Sequence, residues 1–158
     1  MGAAKEITVK LIKSALANEF VKKTHYSGKV VANSQVHFGC YLNDRLHGVL
    51  SYGPPFMKDK LIGLVEGTNW NDFLELNRMA FDAFLPRNSE SRCIAISLRM
   101  IRKQAPHIRW IVSFADATQC GDGTIYRASG FVLTGWTHNK SIMRLADGSI
   151  AAKMTYTK

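Results

Sequence analysis

The chain has 158 residues, 46% of them hydrophobic and 21% charged, which predicts a single globular domain over 1–158 and excludes a disordered or collagen-like chain. No apolar run approaches the roughly 20 residues that span a bilayer, and the first residues lack the apolar core of a secretory signal, so we expect a soluble, cytoplasmic protein without membrane contact. Lys and Arg outnumber Asp and Glu by 21 to 12, for a net charge of +9, which favours a polyanionic partner such as nucleic acid.

The first half of the chain predicts a strand, a helix, a hairpin and a further strand. Ser14 is the predicted N-cap of a helix that ends near Lys23. The turn formers Asn43, Asp44 and Arg45 stand between two alternating apolar runs, which predicts a β-hairpin. The predicted strands of this half cover 6–12, 37–42, 46–53 and 73–79.

The second half predicts two helices among further strands. Ile94, Leu98 and Ile101 recur at helical spacing, and Pro106 ends that helix. Gly130 is the left-handed residue expected after a short second helix. This alternation predicts a mixed α/β fold with a central sheet flanked by helices. The remaining predicted elements are a buried strand over 110–114, the short helix over 125–129, a strand over 131–136, and a hairpin formed by 142–145 and 150–156.

The cysteine content fits a reducing compartment. Cys40, Cys93 and Cys120 are widely separated, and no pair has the short spacing of a zinc or redox motif. Cys93 falls among the apolar helix positions and is predicted to be a small core residue. The sequence therefore predicts neither a disulfide framework nor a cysteine-rich metal site.

The order of elements in the second half is similar to that of the GNAT acetyltransferase superfamily. In that superfamily a Tyr-x-x-x-Gly-Phe segment follows the strand that flanks the acyl-CoA site, and Tyr126, Gly130 and Phe131 occupy those positions here. The resemblance implies a GNAT-like fold.

The sequence contains four further distinctive blocks: 24–28 (THYSG), 73–78 (FLELNR), 86–92 (PRNSESR) and 113–116 leading to 121–126 (SFAD and GDGTIY). Together these blocks resemble the Mom family of phage proteins that modify DNA adenines. The resemblance runs from about the first helix to Trp136. It implies a transferase that attaches a methylcarbamoyl (acetamido) group to N6 of adenine in double-stranded DNA and so protects phage DNA from restriction in the bacterial host.

The donor site implied by the resemblance departs from the usual GNAT pattern. GNAT enzymes hold the donor pyrophosphate on a glycine-containing loop at a helix N-terminus, whereas the loop over 87–92 contains no glycine. Ser89, Ser91 and Arg92 remain as candidate donor-binding residues, with Ser89 alternatively the N-cap of the helix. Glu90 competes with a phosphate for the same helix dipole. Acetyl-CoA and an aminoacyl donor such as glycyl-tRNA therefore both stay open.

Tyr126 and Asp116 are the first two candidate catalytic residues. A phenol suits protonation of a departing group, which is the role that typical GNAT enzymes give to the tyrosine matching Tyr126. Asp116 follows a strand at the sheet edge where α/β proteins place ligands. It is interpreted as a base, as the acceptor of an adenine N6 hydrogen bond, or as the cap of the following turn. Asp122 is interpreted as a turn residue.

Arg78, His25 and Tyr26 complete the catalytic candidates. Strand alternation predicts that Arg78 shares a face with Leu74 and Leu76, and an arginine in apolar surroundings needs an anionic partner from the fold or from a ligand. His25 is a candidate base or metal ligand, and Tyr26 can stack on an extruded base.

Basic side chains and metal ligands are the last candidates. Lys22, Lys23 and Lys29 flank the predicted acceptor entrance and are predicted to contact DNA. Arg92, Arg99 and Lys103 form a row at helical spacing that fits a DNA phosphate backbone or, more typically, a solvated helix face. The family is associated with iron, but no facial-triad spacing is present. The side chains of ligand type are His25, His37, Glu75 and Asp116.

Two other functions fit the same sequence. One is a conventional GNAT N-acetyltransferase that acts on a small amine or a protein. The other is a catalytically inactive GNAT-like module that binds DNA. The sequence leaves the oligomeric state open.

Overall fold

A computed structural model describes residues 3–116, 122–138 and 142–152. Five strands form one sheet in the order β1-β2-β3-β4-β5, antiparallel except for the parallel pair β4–β5. Two further strands, β6 and β7, form a separate antiparallel pair. The strands are β1 Thr8–Leu11, β2 Val36–Leu42, β3 Arg45–Gly53, β4 Phe73–Phe81, β5 Trp110–Val112, β6 Ile142–Arg144 and β7 Ile150–Ala152.

Four α-helices and two short 3₁₀ segments connect the strands of the described residues. Within these ranges every helix is too short or too polar to traverse a lipid bilayer. The α-helices are α1 Ser14–Thr24, α2 Lys58–Leu61, α3 Ser89–Gln104 and α4 Thr124–Ala128, and the 3₁₀ segments are Ala3–Glu6 and Ile62–Leu64.

The β2–β3 hairpin turns where the sequence predicts it. Asn43 and Asp44 have φ of 50° and 62°, the left-handed values that a type I′ turn requires of both central residues. Asn and Asp tolerate this conformation better than other non-glycine residues, so the turn fixes the register of the two strands.

The sheet is covered by α3 on one face and α1 on the other. The α3 face holds the larger core, which includes Phe38, Leu50, Tyr52, Cys93 and Ile94. Cys93 is fully buried, as predicted. The smaller core on the α1 face is formed by Ala17, Val21, Val49 and Ala80.

A bulge in β4 changes which side chains face each core. The register between β3 and β4 shifts at Asn77, which has no paired residue on β3, and such an extra residue interrupts the alternation of faces. Leu76 belongs to the α3-side core and Ala80 to the α1-side core, so Arg78, two residues before Ala80, lies on the α1 side. The prediction that Arg78 shares a face with Leu74 and Leu76 is wrong because it assumed an unbroken strand.

The parallel strands β4 and β5 separate before β4 ends. Their pairing covers three positions and stops at Glu75 opposite Val112. Beyond this point 76–79 and 113–116 diverge, with the Ser113 hydroxyl donating to the Leu76 carbonyl at 3.1 Å. The divergence opens a cleft at the carboxyl ends of the two strands, where open α/β sheets bind ligands.

Several predicted elements differ from the structure. No strand forms over 131–136, where Val132 and Trp136 are 82% and 83% exposed; a strand needs a ladder partner, and the described residues provide none. The predicted buried strand over 110–114 is shorter and half-buried because β5 is an edge strand. Ser14 is the first helical residue after Lys13, and Ser89 follows the αL cap residue Asn88, so neither serine is an N-cap.

The other predicted elements are confirmed within a few residues. These include the first strand, both helices on the two faces of the sheet, the β2–β3 hairpin, the central strand β4, the short helix before Gly130, and the final hairpin. Residues 153–156 of that hairpin and Cys120 lie outside the described residues.

Candidate active site

The cleft between β4 and β5 has a volume of about 230 Å³. Leu76 and Met79 contribute apolar surface from β4, and Thr124 and Ile125 contribute from the start of α4. The five side chains that the sequence nominates as catalytic all line this cleft, although they come from four separate parts of the chain: His25, Tyr26, Arg78, Asp116 and Tyr126.

His25 is held in one tautomer by the turn that follows α1. The backbone N–H of Ser27 donates to Nδ1 of His25 at 3.2 Å, and the Ser27 hydroxyl lies 2.8 Å from the same atom. Nδ1 is therefore an acceptor, so the proton of the neutral ring is on Nε2. Burial is the main cause that lowers the pKa of His25, and the positive charge of Arg78 lowers it further. At neutral pH this side chain is a neutral hydrogen-bond donor.

Tyr26 and Asp116 meet across the mouth of the cleft. The Tyr26 hydroxyl donates to Oδ2 of Asp116 at 3.4 Å. Burial is the main cause that raises the pKa of Tyr26, and the negative charge of Asp116 raises it further. The phenol therefore stays protonated. The Tyr26 ring lies 4.2 Å from the His25 ring, with the two planes tilted by 33°.

Arg78 lies between these groups on the α1 side of β4. Its Nε donates to the Lys29 carbonyl at 3.0 Å, which fixes the guanidinium at the wall of the cleft. Within the described ranges no carboxylate lies within ion-pair distance of Arg78. The guanidinium can therefore serve an anionic or carbonyl oxygen of a ligand.

Tyr126 enters the cleft from α4 on the opposite side. Gly123 (φ 79°) precedes this short helix and Gly130 (φ 89°) follows it, and both positions need a residue that adopts positive φ readily. Burial raises the pKa of Tyr126, and a hydrogen bond with the Ser113 hydroxyl partly opposes that rise. The Ser113 hydroxyl, which donates to the Leu76 carbonyl at 3.1 Å, thus lies near Tyr126 at the base of the divergence.

Sequence reasoning missed four residues at the cleft. Ser27 sets the His25 tautomer, Ser113 contacts Tyr126, and Phe114 lines the mouth. Asn77 forms the bulge, and its Oδ1 accepts a 2.6 Å hydrogen bond from Ser34. All four lie within 24–28, 73–78 and 113–116, blocks that carry the family resemblance, so that resemblance was the available signal. No local sequence pattern predicts the bulge.

The predicted donor-binding residues lie at the start of α3, outside the lining of the cleft. The Ser89 N–H and hydroxyl both donate to the Pro86 carbonyl, and Ser91 donates to the Asn88 carbonyl at 3.2 Å. Arg92 reaches the Lys5 carbonyl at 3.5 Å, and its Nε is buried without a partner within the described structure.

The candidate metal ligands are divided between different places. His25 and Asp116 line the cleft, whereas His37 is buried with its Nδ1 2.7 Å from the Ser51 hydroxyl. Burial raises the pKa of Glu75, which lies outside the lining. In the portion of the chain that the structure describes, no three His, Cys, Asp or Glu side chains form a metal-binding group. These residues do not fit an iron site built from such ligands.

The predicted DNA-binding lysines lie beside the mouth of the cleft. Lys22 and Lys23 are in the last turn of α1, and Lys29 follows the His25–Gly28 turn. All three are exposed, and Lys23 pairs with Glu19 at 2.9 Å.

Comparison with solved structures identifies the fold. A possible acetyltransferase from Clostridium difficile 630 matches with a TM-score of 0.58 at 10% identity, covering 85% of this chain and 95% of that chain. The aminoglycoside N-acetyltransferase AAC(6')-Iy, solved in complex with CoA, matches with a TM-score of 0.58 at 13% identity, covering 84% of this chain and 92% of that chain. The chain therefore has the GNAT acetyltransferase fold, as predicted.

Sequence comparison identifies the family. The model of the Mom protein family matches residues 6–158, and the chain belongs to this family. It is 37% identical over 143 residues to the methylcarbamoylase Mom of Escherichia phage Mu, a match that covers 90% of this chain and 58% of that protein. The chain thus spans somewhat more than half the length of this relative.

Proposed function

We propose that this chain is a DNA-modifying transferase that attaches a methylcarbamoyl (acetamido) group to N6 of adenine in double-stranded phage DNA, which protects that DNA from host restriction. The observation that carries the proposal is the convergence of His25, Tyr26, Arg78, Asp116 and Tyr126 on one cleft. Membership of the Mom family and the 37% identity to a methylcarbamoylase support it.

The DNA lies against the mouth of the cleft in this proposal. Lys22, Lys23 and Lys29 contact phosphates on either side of the His25–Tyr26 turn, which positions the duplex without reading its sequence. The net charge of +9 favours this encounter. Adenine N6 is inaccessible to the cleft while the base is stacked, so the target nucleotide is extruded.

Asp116 is the base that activates N6. Because Nδ1 of His25 already accepts the Ser27 N–H, the neutral imidazole has no free acceptor and acts as a donor through Nε2–H. A carboxylate beside the N6 amino group can accept its proton as N6 attacks the donor carbonyl. The deprotonation is therefore assigned to Asp116 and the orientation of the base to His25.

Arg78 and Tyr126 act on the donor. The guanidinium, held by the Lys29 carbonyl, stabilises the negative charge that develops on the carbonyl oxygen in the transition state. The phenol of Tyr126, kept protonated by its raised pKa, gives its proton to the leaving oxygen or sulfur.

The atoms of the product favour an aminoacyl donor. Acetyl transfer gives N6–C(=O)–CH₃, which lacks the nitrogen of an acetamido group. Glycyl transfer gives N6–C(=O)–CH₂–NH₂, an isomer of N6–CH₂–C(=O)–NH₂. Attack of the glycyl amine on adenine C6, with the original N6 departing as the amide nitrogen, interconverts the two without another reactant. Glycyl-tRNA therefore supplies every atom, with the tRNA hydroxyl as leaving group.

The start of α3 also favours a donor other than acetyl-CoA. Both donor groups of Ser89 are used by the Pro86 carbonyl, and Glu90 puts a negative charge in the first turn of the helix. The Ser91 hydroxyl is likewise used by the Asn88 carbonyl, and Arg92, whose contact with the Lys5 carbonyl is long at 3.5 Å, remains for a phosphate of either donor. The CoA complex of AAC(6')-Iy shows that related folds bind CoA, so acetyl-CoA is the competing donor in the test.

The test is mass spectrometry of nucleosides from plasmid DNA in bacteria that express the chain, beside Asp116→Ala. A deoxyadenosine carrying the acetamido mass in the wild type alone supports the proposal, and unmodified adenine in both contradicts it. Purified protein is then given DNA with glycyl-tRNA or acetyl-CoA. Label from ¹⁵N-glycine at the nitrogen joined to C6 supports the rearrangement, whereas label in the carboxamide contradicts it.

A further inference from the structure

Two exposed aromatic rings stand at the mouth of the cleft. Tyr26 is 63% exposed and Phe114 is 43% exposed, and both line the cleft. Tyr26 belongs to the turn after α1, whereas Phe114 belongs to the segment after β5. The rings therefore come from two separate walls, and a flat apolar ligand that covers them removes their surface from water.

The polar groups beside these rings match one edge of adenine. Asp116, two residues after Phe114, offers a carboxylate that already accepts the Tyr26 hydroxyl at 3.4 Å, and a carboxylate accepts several hydrogen bonds. The centroid of the His25 ring lies 4.2 Å from that of the Tyr26 ring on the same wall of the cleft. His25 offers an Nε2–H donor there. Adenine presents an N6 amino donor beside a ring-nitrogen acceptor. Guanine and thymine present a carbonyl oxygen instead, which a carboxylate repels.

We infer that Tyr26 and Phe114 form an aromatic slot in which the extruded adenine stacks, with Asp116 accepting from N6 and His25 donating to a ring nitrogen. The inference rests on the proposed function and assigns the recognition of the base to the mouth of the cleft. Phe114 is thereby a base-binding residue rather than a packing residue of the segment after β5.

The experiment separates stacking from phosphate binding. Purified wild type, Phe114→Leu, Tyr26→Phe and Tyr26→Ala are titrated with duplexes whose central adenine faces either thymine or an abasic position, with randomised flanking bases. The free-energy cost of extruding an unpaired base is lower than that of extruding a paired one. Leucine keeps apolar volume at 114 without an aromatic face, and phenylalanine keeps the ring at 26 without the hydroxyl. Val132→Ala is the control, because Val132 is exposed and lies outside the cleft lining.

The expected results are specific to each variant. The wild type binds the duplex whose adenine faces an abasic position (the abasic duplex) more tightly than the duplex whose adenine faces thymine (the paired duplex). Guanine in place of the unpaired adenine weakens binding. Phe114→Leu and Tyr26→Ala bind the abasic duplex about 5- to 150-fold more weakly, the range that corresponds to loss of one stacking partner, and bind the paired duplex as the wild type does. Tyr26→Phe and Val132→Ala keep the preference for the abasic duplex.

Two results would overturn the slot while the proposed function stands. One is a wild type that modifies DNA but binds both duplexes equally. The other is a folded Phe114→Leu protein that keeps both the preference and the rate of modification. A wild type that modifies no DNA in cells overturns the proposed function, and the slot with it.

Discussion

Replacing Asp116 by Asn removes one negative charge from the cleft and leaves the shape of the side chain nearly unchanged. Its hydrogen bond with the Tyr26 hydroxyl is long, at 3.4 Å, and exposed, and the amide oxygen of Asn can still accept it, so the weakening of this bond costs at most about 1 kcal/mol. For a chain of 158 residues that corresponds to a Tm change of about 2–4 °C.

The effect on the reaction is far larger if Asp116 is the base. An amide cannot take the N6 proton, and the loss of a general base lowers the rate by about 10²- to 10⁴-fold. This corresponds to about 3–5 kcal/mol of transition-state stabilisation. Affinity for DNA does not fall, because the substitution removes a negative charge near the phosphates.

The assay measures the three quantities on the same protein preparations. Modified deoxyadenosine is followed over time by mass spectrometry, unfolding by thermal denaturation, and DNA affinity by titration. Asp122→Asn is the matched control, because this second carboxylate lines the same cleft but accepts the Thr124 N–H at 2.9 Å as a local cap. An Asp116→Asn protein that modifies DNA within about 3-fold of the wild-type rate would refute the assignment of the base.

Three further predictions test other parts of the structure. Tyr126→Phe lowers the rate of modification by about 10²- to 10⁴-fold without changing DNA affinity, because the proton for the leaving group is lost; rates and titrations check this. Lys29→Ala makes the slope of log K against log salt shallower by about 0.9, since one phosphate contact is lost. Burial lowers the pKa of His37, so below about pH 6.5 the unfolded chain takes up a proton before the native chain does, and stability falls as the pH falls toward the native pKa. His37→Asn makes this fall smaller in urea unfolding at about pH 7.5 and about pH 5.5.

Each of these has a result that contradicts it. A Tyr126→Phe enzyme with the wild-type rate would show that another group protonates the leaving atom. An unchanged salt slope would place Lys29 away from the DNA. Equal loss of stability with and without His37 would assign the acid sensitivity to other groups.

Much of the fold could be predicted from the sequence because its signals are local. Asn and Asp tolerate positive φ better than other non-glycine residues, so Asn43 and Asp44 between two apolar runs predict the hairpin in which both have positive φ. The spacing of Ile94 and Ile101 marks one face of α3 before any partner is known. The blocks around His25 and Asp116 predicted the candidate site residues through their resemblance to a family, not through a local physical signal.

Only the tertiary structure decided how these residues act together. The bulge at Asn77 moves Arg78 to the α1 side, and it depends on pairing with β3 and on the hydrogen bond from Ser34. The apolar run 131–136 has strong strand propensity but pairs with nothing in the described ranges. Propensity is a property of a segment, whereas a ladder needs a second strand.

The sequence by itself determined the α/β elements, the excess of positive charge, and the side chains able to move protons. The structure decided which acceptors are already used, since the Ser27 N–H occupies Nδ1 of His25, and for this reason we propose Asp116 and not His25 as the base. The physical reason is that residue type sets what a side chain can donate or accept, and only its neighbours in space determine which of those sites is already used.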